Sequence, residues 1–575
     1  MKSIGSKKID VKSLATNANN FDRYFLNNLS WDEWEEEIDL LLSNLDEAAI
    51  ETSIHSLPVE SQDYISGELV DKIKSRRKIL KQEVKKYYDF MSKEVQYTGT
   101  DEKDKFDLTI DEAGNILVKV IKLSKKHGEV TKHSRLILAE ETEVLNLFGL
   151  HGKDLFEINV LGNTPIDIRI IGGIGEDKID IKGKTELVGS IEIYDDLKGM
   201  EISEPHLVKD KLSDDILVNK YDRNGYLYDT GLPWITLGFA PDEGLTFGFG
   251  FNSIKHGWRK SPFKSSHLVN GEFTSGSRFS AKLEYEGEYP SLFTPKLGLA
   301  PMLKVELPDN INFFGVGENE FNLGLRSSDN FVQLQSFRFA PHLQYLAGAG
   351  KFRLRFGPTY ESYRIEENTD SLNVINVLNL VGESGIQIDH FLGLEANLRI
   401  STTDRPIKPS RGILVRALLK QQYNFRDKNN ILKYGLSFSW YTSLSRSLDL
   451  ILASRTGFQS ILGDPLFYQY PTMGNKEFLR PYRNERFSGE TIVFQQLDLR
   501  LGLFNWNNSV VPIAFGAILG YDFGQVYVDG QTTDSIRHGW TAGISYDLLK
   551  FFLIRTSVSG SSEGTLFKFE VGYAF

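Results

Sequence analysis

From Trp234 to Phe575, hydrophobic and polar residues alternate in short segments, which is the period expected of β-strands. One such segment runs from Leu245 to Asn252 and carries leucine and phenylalanine on one face. Another, from Lys351 to Phe356, places Lys and Arg on the opposite face. An apolar face opposite a charged face is typical of a barrel with a polar lumen and a lipid-facing wall. The pattern therefore predicts a mainly β protein with a closed antiparallel transmembrane barrel of about sixteen strands at its C-terminus.

The connections between these segments differ in length. Short ones include 348–350, 445–446 and 505–508, and long ones include 308–330, 364–385 and 478–489. In bacterial barrels, short turns lie on one side of the membrane and longer loops on the other. We therefore expect connection length to alternate around the barrel.

The first 97 residues have helical periodicity instead. Ser30 and Glu33 frame a capping box, in which each side chain satisfies an amide at the start of a helix. From about Ser61 to Val95, apolar residues recur at three- and four-residue steps. Residues 1–97 are thus predicted to form a small helical segment.

Residues 98–202 return to a period of two and are predicted to form a small β-rich domain. Within it, residues 149–158 align with residues 172–181 at an offset of 172 − 149 = 23. A turn followed by a short strand at such a period indicates coils of a β-solenoid. The charged stretch 203–222 is predicted to be a linker, and 223–575 to be the barrel.

The repeat leaves two interpretations of Asp154 and Asp177 open. The second copy is similar to the Gly-Gly-x-Gly-x-Asp turn of calcium-binding β-rolls, in which carboxylates and carbonyls supply oxygen ligands. Aspartate in a turn more often bonds to its own backbone. We predict the structural role, and calcium is the alternative cofactor.

Composition excludes several classes of function. The chain of 575 residues has no cysteine, so disulfides and thiolate chemistry are absent. Its net charge of −11, without a basic tract, argues against a nucleic-acid partner. The ten histidines do not cluster as metal ligands, and no nucleophile motif is found. We therefore predict no enzymatic activity.

Membrane residence would require export, but the sequence has no long apolar segment. No run of roughly 18 apolar residues predicts a transmembrane helix, and Met1 to Asp10 lacks the apolar core of a signal peptide. We therefore expect either that a signal has been removed or that this chain is the later part of a longer precursor.

The candidate functional stretch lies between two predicted strands, at 478–489. It contains three arginines and three aromatic residues in a proline-containing loop. Because arginine offers a planar, always charged fork, such a loop would be fixed only where carboxylates await it in an enclosed polar space. Asp522, which lies among glycines on a later strand, is the candidate partner.

Loop and strand together resemble the paired signature of BamA/TamA-type outer-membrane assembly factors, whose barrel is the bacterial surface antigen domain. The resemblance places the loop motif at Leu479-Arg480-Pro481-Tyr482 and its partner at Asp522 and Gly524. It implies that Arg480 meets Asp522 inside the barrel, with Arg483 or Arg486 sharing the pairing. The family's usual glycine is Pro481 here, which fixes φ and removes an N–H. The ending is similar to the C-terminal signal for barrel insertion, carried by Phe567, Phe569, Val571, Tyr573 and Phe575.

The resemblance also implies a location and a function. It places the barrel in the outer membrane of a Gram-negative bacterium, in contact with lipid, with the N-terminal part in the periplasm. It implies assistance to the insertion or translocation of polypeptides, with many clients or one dedicated secreted partner. The N-terminal part lacks the βααββ pattern of POTRA domains and looks more like a branch with an upstream calcineurin-like metallophosphoesterase. A non-catalytic anchor for that enzyme and a plugged passive pore or transporter are the alternatives.

Overall fold

A computed structural model describes residues 11–573, except 57, 125–127, 184–189, 214–218, 241–243, 276–278, 318–326, 367–372, 380–385, 406–407, 446–447, 475–477, 507–512, 532–534 and 549–551. The chain divides into two compact units, Met1–Tyr228 and Asp229–Phe575. Each unit is described by itself below.

The N-terminal unit begins with four helices: α1 Val11–Leu26, α2 Trp31–Asn44, α3 Glu47–His55 and α4 Val59–Met91. Ser30 caps α2 as predicted, because its hydroxyl accepts the N–H of Glu33 while Glu33 accepts the N–H of Ser30 at 2.6 Å. Helix α4 ends at Met91 rather than Val95, since the chain continues directly into a strand at Glu94. No helix in the described part of the chain is both long and apolar enough to cross a membrane.

A β-solenoid follows the helices. Its strands are β1 Glu94–Thr98, β2 Asp104–Ile110, β3 Ile116–Ser124, β4 Gly128–Ile137, β5 Val144–Gly152, β6 Leu155–Val160, β7 Asp167–Gly175, β8 Asp177–Gly183, β9 Ile191–Tyr194, β10 Met200–Ile202 and β11 Lys209–Asp210. They form two sheets, in the orders β1-β5-β7-β9-β11 and β10-β8-β6-β2-β3-β4. Buried Leu, Ile, Val and Phe side chains from both sheets make one core between them.

The 23-residue offset seen in the sequence is the register of this solenoid. Leu145 lies opposite Ile168, and Ile168 lies opposite Ile191, each in parallel pairing. The coil before them is longer, since Val144 pairs with Glu94 at an offset of 50 residues. Strands β3 and β4 occupy that extra length as an antiparallel hairpin on the end of the second sheet.

Part of the predicted linker belongs to this fold. Residues Pro205–Leu207 form a 3-10 helix, and Lys209 of β11 pairs with Glu192 of β9. Leu207, Val208 and Leu212 pack against the solenoid core. Charged residues surround these three apolar residues in the sequence, and for that reason the segment was predicted to be a linker.

The second unit contains a closed barrel of sixteen strands, which confirms the predicted fold class and strand number. The wall strands are β12 Thr230–Ala240, β13 Gly244–Lys255, β14 Ser265–Ser275, β15 Phe279–Glu288, β16 Leu297–Asn312, β17 Phe331–Ala347, β18 Phe352–Glu366, β19 Ile386–Ser401, β20 Gly412–Asn424, β21 Asn429–Ser445, β22 Leu450–Leu462, β25 Thr491–Trp506, β26 Ile513–Tyr527, β27 Arg537–Leu548, β28 Phe552–Ser561 and β29 Gly564–Tyr573. Strands β23 (Thr472–Met473) and β24 (Phe487–Ser488) form a separate small sheet, and a short helix α5 spans Val374–Val377.

The wall residues alternate as their sequence predicts. Leu245, Phe247, Phe249 and Phe251 project outward and are exposed. Charged side chains project into the lumen and pair there: Glu361, for example, lies 2.5 Å from Nζ of Lys420 and 3.4 Å from Nε of Arg338. Outward apolar surface and inward ion pairs are what a barrel in a membrane requires.

The two ends of the barrel differ. We call the end at which β12 begins the proximal end, and the other the loop end. The long connections 313–330, 367–385 and 463–490 all lie at the loop end. Short hairpins also lie there, at 241–243, 276–278, 425–428 and 562–563, so the expected strict alternation of lengths is not observed.

Candidate functional site

Residues 463–490, here called the lumen loop, connect the eleventh and twelfth wall strands, β22 and β25, as the sequence count predicted. Within the loop, β23 pairs with β24 through Thr472–Ser488 and Met473–Phe487. Leu479 is 0% exposed and Tyr482 is 2% exposed. Both belong to a buried cluster that includes Phe494 of β25 and Val526 of β26. The loop is therefore folded against the inner wall.

Arg480 lies at the centre of this docking. Its main-chain N–H and its Nε both donate to Oδ2 of Asp522, at 2.9 and 2.8 Å, and Nη2 donates to Oδ1 at 2.5 Å. Asp522 is 0% exposed and lies on β26, the thirteenth wall strand. A bidentate guanidinium–carboxylate pair fixes both distance and orientation, so it holds the loop in one register. The structure thus brings together the two residues that the family resemblance pairs.

A second carboxylate extends the pair into a network. Nη1 of Arg480 lies 2.8 Å from Oδ1 of Asp498 on β25, and Nη2 of Arg500 donates to Oδ2 of Asp498 at 3.0 Å. Two guanidinium groups therefore alternate with two carboxylates. The alternation of residues along β25 places Asp498 on the lumen face, but it cannot show which loop side chain reaches this carboxylate.

Glycines in the wall leave room for the loop. A Cβ at Gly520 would lie 2.7 Å from Nη2 of Arg480, and one at Gly524 would lie 2.6 Å from the sulfur of Met473. Both glycines belong to the strand that carries Asp522. Close approach of the loop to β26 thus explains why the partner carboxylate lies among glycines.

Pro481 and Tyr482 follow the arginine and contact the next strand. A Cβ at Gly539 of β27 would lie 2.7 Å from Cβ of Pro481, so the proline ring lies against this bare stretch of wall. The hydroxyl of Tyr482 donates to the carbonyl of His538 at 3.1 Å. Proline at the family's glycine position is therefore accommodated by a glycine across from it.

Arg486 has a different partner from the one considered from sequence. It pairs with Glu563 through Nε at 2.9 Å and Nη2 at 2.8 Å, and is itself buried. Among the described residues, the side chain of Asp522 contacts the charged groups of Arg480 alone, so neither Arg483 nor Arg486 shares that pair. Sequence reasoning missed Glu563 because it lies in a two-residue hairpin turn, 77 positions from Arg486, with no local signal of its role.

Phe478, two positions before Arg480, fixes the loop by aromatic packing against the wall. Its ring stacks on Phe494 with centroids 4.0 Å apart, and the guanidinium carbon of Arg455 lies 4.9 Å from the Phe478 centroid. Phe478 has φ of 71°, a left-handed conformation that a non-glycine residue adopts only when its surroundings hold it there. Aromatic packing thus holds the backbone turn that presents Arg480.

The barrel closes through a short seam between β12 and β29. In the described part of the chain it pairs Leu237 with Val571, Gly238 with Glu570 and Phe239 with Phe569. By contrast, β27 and β28 are paired continuously, from Gly539 opposite Ser561 to Leu548 opposite Phe552.

The residues of the predicted insertion signal lie on or after β29. Phe567 is exposed. Phe575 lies outside the described residues, and so do the side chains of Val571 and Tyr573.

Asp154 and Asp177 form a ladder along the solenoid. Oδ1 of Asp154 accepts the main-chain N–H of Asp104, and Oδ1 of Asp177 accepts that of Asp154, both at 2.7 Å. A Cβ at Gly149 would lie 2.6 Å from the second oxygen of Asp154, which accounts for the glycine in the repeat. Asp195 holds the position of Gly172 one coil later, and a Cβ at Gly172 would lie 2.5 Å from a carboxylate oxygen of both Asp177 and Asp195, but the N–H of Asp177 donates to the carbonyl of Gly199 instead.

Burial sets the protonation of this ladder. It raises the pKa of the Asp154 carboxyl to about 8, that of Asp177 to about 6 and that of Asp195 to about 7. Within the described ranges, no group of three or more ligating side chains could hold a metal ion. The main-chain hydrogen bonds that Asp154 and Asp177 accept give both residues a structural part in the solenoid, and calcium binding stays untested.

Comparison with known proteins gives one family match. Residues 308–551 match the Omp85 superfamily domain. No curated protein matches the chain.

Among solved structures, BamA from Haemophilus ducreyi lacking POTRA domains 1–3 is similar at 14% identity and a TM-score of 0.44, over 60% of this chain and 70% of that one. CdiB from Escherichia coli is similar at 10% identity and a TM-score of 0.41, over 61% of this chain and 63% of that one. CdiB from Acinetobacter baumannii is similar at 10% identity and a TM-score of 0.39, over 60% of each chain. The chain thus spans less than two thirds of the length of either CdiB.

Proposed function

Because residues 308–551 of this chain are an Omp85 superfamily domain, we propose that its barrel assists the insertion of polypeptides into, or their translocation across, the outer membrane of a Gram-negative bacterium. In this proposal the N-terminal unit lies in the periplasm and the barrel carries out no enzymatic chemistry. The observation that carries the proposal is the short seam, which closes a barrel whose lumen is already occupied by a loop.

The seam is the least costly place to open the wall. An antiparallel ladder has about one hydrogen bond per residue pair, and each contributes ~0.5–1.5 kcal/mol net. The three pairs of the seam would therefore contribute a few kcal/mol, against roughly three times as much for the ten pairs between β27 and β28. Opening among the described pairs is therefore less costly at the seam than at β27–β28, and β15–β16, with five pairs, is the next shortest junction.

An opened seam would need a partner. Within lipid, each unpaired backbone N–H or C=O costs several kcal/mol, so an exposed edge of β12 or β29 would take up another strand. A client strand can supply those bonds by β-augmentation. The same edge would serve a strand that stays in the membrane or a segment that passes through it, which is why both activities remain in the proposal.

The competing hypotheses predict different behaviour. An anchor for an upstream enzyme would work with the seam permanently closed. A passive pore would need an open lumen, whereas here Arg480 and Arg486 hold the lumen loop against the wall through Asp522 and Glu563.

The test is a reversible lock across the seam of this cysteine-free chain. Gly238 and Glu570 lie directly opposite each other, and a Cβ at Gly238 meets nothing closer than 3.5 Å, so Gly238→Cys with Glu570→Cys fits the wall. The matched control is Thr541→Cys with Ser559→Cys. Those two hydroxyl oxygens lie 2.8 Å apart across β27 and β28, a junction that the proposal keeps closed.

Both pairs would be expressed in a strain lacking the gene, and envelope protein content would be compared with the disulfide oxidised and reduced. We expect loss of outer-membrane or surface proteins only when the seam is locked, with recovery on reduction. Loss of a single secreted protein would indicate one dedicated partner. If locking leaves every such protein at its normal level while gene deletion does not, the barrel acts as an anchor and the proposal is wrong.

A further inference from the structure

Three arginines lie side by side on the lumen wall near the proximal end. Arg353 of β18 is directly opposite Arg399 of β19, and Arg399 is directly opposite Arg416 of β20. We call these three residues the arginine row. Directly opposite side chains have Cβ atoms roughly 4.5–5.5 Å apart, and like charges in such positions destabilise a sheet. The row therefore needs an opposing charge.

The wall itself provides little of that charge. Nη1 of Arg353 lies 2.9 Å from Oε1 of Glu288, but Arg355 shares the same oxygen at 2.7 Å. The Nε of Arg353 is buried and has no hydrogen-bond partner among the described residues. Arg399 and Arg416 make no ion pair or side-chain hydrogen bond within the same set of residues.

Other lumen cations of this barrel are neutralised locally. Nζ of Lys282 lies 2.8 Å from Oε1 of Glu284, and Nζ of Lys304 lies 2.5 Å from Oε1 of Glu306. In each case the carboxylate is two positions along the same strand and so projects into the lumen beside its partner. The lack of such a carboxylate beside Arg399 or Arg416 is thus a local departure from the rest of this wall.

The row opens onto a cavity in whose lining cationic side chains outnumber carboxylates, with Arg338, Arg353, Arg355 and Lys420 already paired with Glu288 or Glu361 of the wall. The cavity has a volume of about 540 Å³. Its charged lining consists of one carboxylate, Glu395, and eight Arg and Lys side chains: Arg338, Arg353, Arg355, Arg399, Arg416, Lys420, Lys433 and Arg455. Glu395 already lies 2.6 Å from Nη2 of Arg338. A cleft lined by one sign of charge concentrates ligands of the opposite sign.

Its position determines what can reach it. Arg353 is the second residue of β18, and Arg399 is the third from the end of β19, so both lie near the proximal end. On the same two strands Phe356 and Leu394 are exposed on the outer face, and Arg353 and Arg399 lie an odd number of positions from them, so both arginines project to the lumen face. A lipid headgroup at the outer surface therefore lies on the wrong side of the wall, whereas a chain that enters the lumen passes the row.

We propose that the arginine row binds carboxylate groups of an acidic peptide segment as it enters the lumen at the proximal end. The substrate class rests on the proposed function, since it takes the client to be a polypeptide. Guanidinium groups at this spacing can each donate two hydrogen bonds to a carboxylate, and a peptide with successive acidic residues supplies such carboxylates. The cavity is larger than a lone anion needs and is within the range of sites that enclose an organic ligand.

The test compares two double variants of the full chain in detergent micelles. Arg399→Gln with Arg416→Gln removes two charges from the row. Lys282→Gln with Lys304→Gln removes two lumen charges that already have carboxylate partners, so it controls for the change in net charge. Circular dichroism would establish that both variants retain the barrel.

The probe is fluorescein-labelled octaglutamate, with labelled octalysine as the control of opposite sign, followed by anisotropy at low salt. We expect octaglutamate to bind at least tenfold more weakly to the Arg399→Gln/Arg416→Gln variant than to the Lys282→Gln/Lys304→Gln variant, and the difference to shrink as salt rises. Equal affinity in the two variants would overturn the inference. Displacement of the probe by inorganic phosphate or by phosphatidylglycerol at matched charge, but not by unlabelled octaglutamate, would overturn the choice of a peptide.

The outcome is independent of the seam experiment. If row variants lose octaglutamate binding while the seam lock has no effect, the anion site stands and the insertion function falls. If the lock blocks delivery of envelope proteins while the row variants bind octaglutamate normally, the function stands and the site does not.

Discussion

Separating Arg480 from Asp522 should release the lumen loop while leaving the barrel wall intact. The substitutions are Arg480→Met, which keeps most of the aliphatic stem, and Asp522→Asn, which keeps the shape of the carboxylate. Arg480→Met removes two hydrogen bonds to the carboxylate, at 2.8 and 2.5 Å, and leaves only the main-chain N–H at 2.9 Å. Hydrogen bonds to charged groups contribute ~1.5–3 kcal/mol each. Asp522 is fully buried, so each single variant should raise the free energy of the docked loop by about 3–5 kcal/mol.

The double variant separates pairing from packing. With both charges gone, no uncompensated ion remains beside β26, so Arg480→Met with Asp522→Asn should be less destabilised than the two single effects added together. Contacting residues of this kind show coupling of about 0.5–3 kcal/mol. Arg500→Gln is the control, because Arg500 reaches only Asp498 and not Asp522.

Trypsin can report the opening of the loop, since Arg483 and Arg486 remain as cleavage sites in every variant. Where opening is fast relative to cleavage, the cleavage rate follows the population of the open loop. A change of about 3 kcal/mol should accelerate cleavage by roughly a hundredfold or more, and Arg500→Gln by much less. If trypsin cleaves both single variants at the parent rate, this pair does not hold the loop. The same conclusion follows if the destabilisation of the double variant equals the sum of the two single effects.

Three further predictions follow from the same geometry. Gly520→Ala should speed trypsin cleavage of the loop because its Cβ would lie 2.7 Å from Nη2 of Arg480, whereas Gly238→Ala, with no neighbour closer than 3.5 Å, should not. In planar bilayers the intact chain should conduct in small or flickering steps and deletion of residues 478–489 should enlarge them; large steady conductance of the intact chain would favour a passive pore. Asp154 and Asp177 have folded-state pKa values of about 8 and 6, above the ordinary 3.8, so their contribution to solenoid stability is complete below about pH 4 and is lost as pH rises through 6 to 8. Asp154→Asn, which keeps an acceptor for the N–H of Asp104, should therefore slow hydrogen exchange of β5–β8 at pH 8 and have little effect at pH 4; equal exchange of variant and parent at pH 8 would contradict the raised pKa.

The barrel could be predicted from sequence because contact with lipid and contact with the lumen alternate from residue to residue along each strand. Lipid outside and ion pairs inside impose opposite preferences on neighbours such as Phe352 and Arg353, and this repeats through sixteen strands. The Omp85 match confirms the superfamily that the Arg480 and Asp522 motifs predicted. Their contact was predictable only through that resemblance, since local pattern does not join residues 42 positions apart.

The solenoid coils that the sequence did not reveal lie where the 23-residue repeat is interrupted. The coil formed by β9 and β10 escaped notice because Asp195 replaces the glycine of the repeat and β10 has only three residues. The offset of 50 residues between β1 and β5 hid the first coil, since the hairpin β3–β4 separates them. Glu563 and the arginine row were missed for a different reason, because pairing across strands becomes visible only once the register is known.

The seam also sets the order in which this barrel can be completed. Gly238 and Glu570 pair across 570 − 238 = 332 positions of the chain, whereas every other junction of the wall joins strands that follow one another along the chain. Contacts between distant residues form late, because the entropy of closing the intervening chain opposes them. The wall strand that comes last along the chain is therefore also the one that closes the wall. Without β29, β12 and β28 would be unpaired edges in the membrane, so completion of the barrel depends on the ten residues of that strand.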